Sequence, residues 1–163
     1  MTPDIPDFDS VARRLSGALE RYFPAARGVE LIAEPGRFLV DSSCTLHVCV
    51  IARKGAAGKT SSPMYFVNDS IYSSFNCIMY DHATVVPEVC CTAAAVPPRC
   101  EWNGEASLWG QTCDGLDCIL ERVALPSLEV GDWLHFRNMG AYTSCAASQF
   151  NGFSLPDRFY CDL

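Results

Sequence analysis

Beyond about residue 44 the chain breaks into short stretches that are apolar, β-branched or aromatic: TLHVCVIAR, PMYFVND, EASLWG, CILERV, DWLHFRN and DRFYCDL. Gly, Pro, Asn and Asp divide them, as they divide strands at turns. Each stretch puts alternate side chains on opposite sides of a pleated backbone and must find a neighbour for its polar groups. The pattern predicts an antiparallel β domain over residues 45–163. Before it, Phe8, Val11, Leu15, Ala18, Leu19 and Tyr22 recur at helical spacing. A helix over 8–22 is expected, capped by Asp9 or Ser10 and ended by Pro24. VELIAEPGRF then reads as a short strand entering a Pro-Gly turn. Helix followed by strand is the grammar of an α/β unit, so residues 1–44 are expected to be the incomplete tail of an α/β domain. One such unit cannot bury its own face, and the sequence is expected to be truncated at its front.

Composition excludes several function classes. Hydrophobic residues are 49% and charged residues 19%, enough apolar surface for a core. A net charge of -7 argues against nucleic-acid binding, which needs a basic face. No apolar run reaches the roughly 18 to 20 residues that span a bilayer. MTPDIPDFDS has neither the basic start nor the apolar core of a signal peptide. A soluble cytoplasmic protein is expected. The 10 cysteines fall mostly in strand-like stretches, as Cys44, Cys49, Cys118 and Cys161 do. They include no Cys-x-x-Cys pair, and the three histidines are scattered. Reduced, buried thiols are expected, and no metal.

Four groups carry chemistry. Glu34-Pro35-Gly36-Arg37 is either a solvated turn or an anion site, where glycine admits a phosphate to the backbone and arginine supplies a charged donor. Asp81, in Tyr80-Asp81-His82, forms a turn or holds an ammonium group. Cys113-Asp114 lies between Gly110 and Gly115 in SLWGQTCDGLD, a loop that can present a thiol to a ligand. Beside a carboxylate, that thiol is expected to serve as a proton donor and not as a nucleophile. Asn138 to Thr143, with Phe150-Asn151-Gly152-Phe153 behind it, reads as a glycine turn and an aromatic corner.

Taken in order, EPGRF, YDH, SLWGQTCDGLD, VGDWLHFRNMGAYT and FNGF resemble the C-terminal part of the eukaryotic-type ornithine decarboxylases. These belong to the alanine-racemase-like (fold type III) pyridoxal-phosphate decarboxylases. The resemblance implies that 1–44 is the last part of a cofactor-binding β/α barrel and 45–163 a C-terminal β domain. It implies Glu34 on the pyridine nitrogen, with Gly36, Arg37 and Tyr142 on the cofactor phosphate. Asp81 and Asp114 would hold the distal ammonium of L-ornithine, with L-lysine a second substrate. Cys113 would protonate the α-carbon in the partner's site of a head-to-tail homodimer, with Phe150 at the interface. Antizyme would be a partner of the full-length family. The cofactor lysine has no counterpart, because the only lysines are Lys54 and Lys59 in an unrelated loop. A fragment inactive alone is therefore expected. The alternative is a non-catalytic homologue of the antizyme-inhibitor kind.

Overall fold

The protein is described by a computed structural model over residues 6–55, 62–90 and 104–161. It divides into two compact units, Met1–Glu34 and Pro35–Leu163. The stretch from Pro35 to Cys44, grouped by sequence with the first domain, packs within the second.

In the first unit, helix α1 spans Phe8–Tyr22, as its period predicts. The cap is Asp7, two residues before the nearer of the expected caps, Asp9. Its carboxylate accepts from the Ser10 amide at 2.7 Å and the Ser10 hydroxyl at 2.9 Å. Those bonds hold the Asp7 carboxyl below its ordinary range. The helix stops at Tyr22, and Pro24 opens a 3-10 turn, Ala25–Arg27. The expected strand at VELIA does not form. Leu31 and Ile32 stand exposed, with no strand paired to them among the described residues, and a strand is stable only when paired.

The second unit is built on one six-stranded sheet. Its strands are β1 Leu46–Lys54, β2 Met64–Val67, β3 Pro87–Val89, β4 Gly104–Trp109, β5 Cys118–Leu125 and β6 Trp133–Phe136, in the order β3-β6-β1-β2-β4-β5. The sheet is mixed, which corrects the antiparallel expectation: β2 and β4 run parallel, with Tyr65 opposite Leu108. The connection from Val67 to Gly104 is long enough for the crossover that parallel pairing needs. The short strand β3 is also absent from the sequence reading, and DRFYC, expected as a strand, pairs with no strand among the described residues and leaves Phe159 and Tyr160 exposed.

Alternation sets the core. Val48 and Val50, Tyr65 and Val67, Ala106 and Leu108, and Leu134 and Phe136 are buried on one face. The segment from Asp69 to Ile78 lies over that face and inserts Phe75, whose ring meets Phe136 edge-on at 4.9 Å. It ends in helix α2, Cys77–Asp81. Cys77 is buried and Cys49 and Cys118 are half-buried, but Cys44 and Cys161 are exposed, so the expectation of buried thiols holds for part of the set. No helix among the described residues is long and apolar enough to cross a membrane.

Candidate functional site

Arg37 opens a 3-10 turn, Arg37–Leu39, followed by a second at Asp41–Ser43. Four residues of tight turn bring Asp41 back to Arg37, and their side chains pair at 2.5 Å. The other guanidinium nitrogen pairs with Asp81, the last residue of α2. The guanidinium lies over the Tyr142 ring, 5.9 Å from its centre. Three of the expected residues, Arg37, Asp81 and Tyr142, therefore share one place. Gly36 adjoins them: a Cβ there would stand 3.8 Å from the Tyr142 hydroxyl.

Backbone bonds, close packing and a buried asparagine hold this group. The Gly140 and Met139 amides donate to the carbonyls of Asp41 and Cys44, at 2.9 and 3.0 Å. Gly140 packs so closely on the Val40 carbonyl that a Cβ would overlap it. Buried Asn76 donates its side-chain amide to the carbonyls of Ser73 and, at 2.6 Å, Thr143, tying the base of α2 to the Tyr142 loop. Arg37, Asp41, Asp81, His82, Glu88 and Arg137 line an adjacent cleft of about 490 Å³. Sequence reading missed Asp41 and Asn76. The i to i+4 spacing from Arg37 was the only signal for Asp41, and nothing local marks Asn76.

Cys113 and Asp114 sit at the tip of the β4–β5 connection. Asp117, buried at 1% exposure, closes it by accepting from the Thr112 amide at 2.9 Å, the Thr112 hydroxyl at 2.7 Å and the Ile71 amide at 3.0 Å. Its carboxylate fills the space a Cβ on Gly110 would need. The closed loop leaves Cys113 exposed, with the Asn151 amide donating to its sulfur at 3.4 Å. Asp114 accepts from the Tyr72 hydroxyl at 2.7 Å and the Leu116 amide at 2.9 Å. The Leu116 amide, then the Tyr72 hydroxyl, hold the Asp114 carboxyl below its usual range. The same bond pushes the Tyr72 phenol up to about 12. Tyr72 stacks on Phe150 at 4.2 Å between ring centres.

The expected residues thus form two groups, joined by the Asp69–Asn76 segment: Asn76 braces one and Tyr72 the other. Asp69 anchors that segment, accepting from the Ser70 and Ser74 amides at 2.7 and 2.9 Å. Burial pushes its carboxyl above the ordinary value. Glu34 ends the first unit and is exposed. Lys54 ends β1, and Lys59 lies outside the described residues.

The chain is similar to known proteins in sequence and in fold. Residues 37–140 match the family model for the C-terminal sheet domain of pyridoxal-dependent decarboxylases. The chain is 48% identical over 161 residues to an ornithine decarboxylase of Cricetulus griseus, covering 94% of this chain and 34% of the relative. It is also 48% identical over 162 residues to an antizyme inhibitor 2 of Xenopus laevis, covering 94% and 35%. Among solved structures, a lysine/ornithine decarboxylase from Vibrio vulnificus complexed with cadaverine superposes with a TM-score of 0.73 at 31% identity, covering 93% of this chain and 38% of that one. The chain spans about a third of the length of the curated relatives it matches.

Proposed function

The chain belongs to the pyridoxal-dependent decarboxylases through their C-terminal sheet domain, and on that premise we propose that it supplies the phosphate, ammonium and proton-donor groups of an ornithine decarboxylase. The meeting of Asp81 and the Tyr142 ring at Arg37, beside the cleft that Arg37 and Asp81 line, supports this reading most directly.

The residues fit the cofactor's phosphate. Arg37 offers a guanidinium, Tyr142 a hydroxyl, and Gly36 a backbone with no side chain between it and that hydroxyl. Arg37, Gly36 and Tyr142 would hold the phosphate, and Glu34 the pyridine nitrogen. When bound, pyridoxal phosphate supplies the electron sink for the charge left by departing CO₂. The rest falls to this chain. Arg37 and Asp81 neutralise each other as they stand. A phosphate at Arg37 and an ammonium at Asp81 would replace that pair with two pairs of the same kind, so neither charge is left unmatched. A charge-assisted bond of this type contributes about 1.5 to 3 kcal/mol when shielded. Ornithine and lysine differ by one methylene, about 1 to 3 kcal/mol of discrimination, so the site is expected to take L-ornithine with L-lysine as a second substrate.

Cys113 is the proton donor. Its thiol is exposed at a braced loop tip, and the Asn151 amide stabilises the sulfur as it gives up the proton. A positioned acid of this kind contributes roughly 10²- to 10⁴-fold in rate. Asp114, held ionised by Leu116 and Tyr72, adds a second carboxylate for the substrate ammonium. The exposed tip suits delivery across a head-to-tail dimer to the partner's site, with Phe150 at the interface, in the cytoplasm where thiols stay reduced.

A specific observation favours a second reading, the non-catalytic regulator. Asp41 occupies one side of Arg37 and competes with a phosphate for it. The test is a chimaera in which this chain replaces the matching third of the Cricetulus griseus ornithine decarboxylase, assayed by CO₂ release from labelled ornithine. An active chimaera that loses at least about 100-fold with Cys113→Ala supports the enzyme. An inactive chimaera that Asp41→Ala revives supports the regulator.

A further inference from the structure

The sheet face opposite the core carries a further cluster, which shares Glu88 with the wall of the cleft described above. Pairing of β1, β6 and β3 sets His47, His135 and Glu88 side by side, because His47 is opposite His135 and His135 opposite Glu88. Cys90 follows β3 directly, two residues beyond Glu88 and therefore on the same face. Its amide donates to the Trp133 carbonyl at 2.9 Å, which carries the ladder one step past the strand. Half-buried, its sulfur lies 3.2 Å from His135 Nδ1 and 3.7 Å from His47 Nδ1.

The far side of the His135 ring decides what the near side can do. His135 Nε2 stands 3.0 Å from Glu88 Oε2, and the other Glu88 oxygen accepts from Arg137 Nε at 2.9 Å. Arg137 holds the Glu88 carboxyl below its ordinary range, so Glu88 is an acceptor only. Nε2 then carries a ring proton, and in the neutral ring the Nδ1 lone pair faces the sulfur. A thiol, an imidazole base and a carboxylate that orients the base are the parts of an activated nucleophile.

We propose that Cys90 is a nucleophilic thiol, served by His135 and Glu88, that takes up a mixed disulfide from small-molecule disulfides of the glutathione class. His135 Nδ1 accepts the thiol proton. The thiolate attacks one sulfur of the small disulfide, forming a new S–S bond as the old one breaks. The departing thiolate takes the proton from His135. Cys90 is oxidised by its half of the exchange and the released thiol is reduced by the other half. Glu88 and Arg137 also line the cleft that holds Arg37 and Asp81, so an adduct at Cys90 sits against a wall of that cleft.

The test uses the whole purified chain and isotope-coded iodoacetamide, with a rate for each cysteine read by peptide mass mapping from pH 5 to 10. The ionisable groups facing the sulfur among the described residues are His47 from β1, His135 from β6 and Glu88 from β3, with Arg137 behind Glu88. Exposed Cys145 is the internal reference. The midpoint of each profile is compared, because access changes the rate but not the midpoint. The Cys90 midpoint should lie at least one pH unit below that of Cys145, which is about a tenfold larger thiolate fraction at pH 7. Glu88→Gln and His135→Gln should each move it back toward Cys145. Oxidised glutathione should form its adduct on Cys90 ahead of Cys145. Coincident midpoints, or a Cys90 midpoint unmoved by Glu88→Gln, overturn the proposal. Should His135→Gln fail to fold by circular dichroism, Glu88→Gln at the edge strand still decides.

Discussion

Gly140→Ala joins the stability of the second unit to the shape of its candidate site. The new Cβ would overlap the Val40 carbonyl oxygen, and backbone cannot rotate aside as a side chain can. That carbonyl is also pinned by the Ser43 hydroxyl at 2.6 Å and the Ser43 amide at 3.1 Å. Relief must come from moving the 138–143 loop away from residues 40–44. Overpacking of this kind costs about 1 to 3 kcal/mol. Stretching the Gly140 and Met139 bonds to Asp41 and Cys44 adds about 0.5 to 1.5 kcal/mol for each one lost. With one of those bonds lost, the expected cost is about 1.5 to 4.5 kcal/mol. With a urea slope of about 2 kcal/mol/M, the midpoint should fall by about 1 to 2 M. Urea unfolding followed by tryptophan fluorescence reads this, since Trp109 and Trp133 both lie in the sheet. The control is Gly17→Ala in α1, where a Cβ meets nothing within 4 Å. It should stabilise its helix by about 0.5 to 1 kcal/mol. A Gly140→Ala midpoint equal to wild type would refute the reasoning, because it would mean the two segments are not in contact.

Three further outcomes follow from the polar anchors. Asp117→Ala leaves the Ile71 and Thr112 amides and the Thr112 hydroxyl without their acceptor and should cost about 3 to 5 kcal/mol, read as a lower urea midpoint. Burial raises the Asp69 carboxyl above its ordinary 3.8, so the folded state holds that proton more tightly than the unfolded chain. Asp69 therefore favours folding at pH below 3.8 and opposes it increasingly as pH rises through the folded value. Asp69→Asn should remove that part of the pH dependence, and a stability profile across pH 3 to 7 parallel to wild type would contradict it. Tyr72 should ionise only near pH about 12, held by Asp114. Ultraviolet titration should show a late tyrosine that is missing in Tyr72→Phe and titrates earlier in Asp114→Asn.

What could be read from the sequence is what neighbours along the chain decide. The period of α1 gave its span to the residue, and strand-like stretches located five of the six strands. The motifs EPGR, YDH, CDGLD and GAYT marked residues that the fold gathers into two groups. Pairing partners were not legible. A strand's composition does not say which neighbour it takes, so the parallel β2–β4 pair, the three-residue β3 and the failure of VELIA and DRFYC to pair emerge only when polar backbone groups compete for partners in space. The same holds for the braces. Asn76 reaches Thr143 across 67 residues, and Asp117 reaches Ile71 across 46. Arg37 lay in a recognisable turn, but its pairing with Asp81 depends on where α2 ends against the sheet. Local propensity and side-chain chemistry are written residue by residue, whereas register and the convergence of distant side chains come from packing the whole core at once.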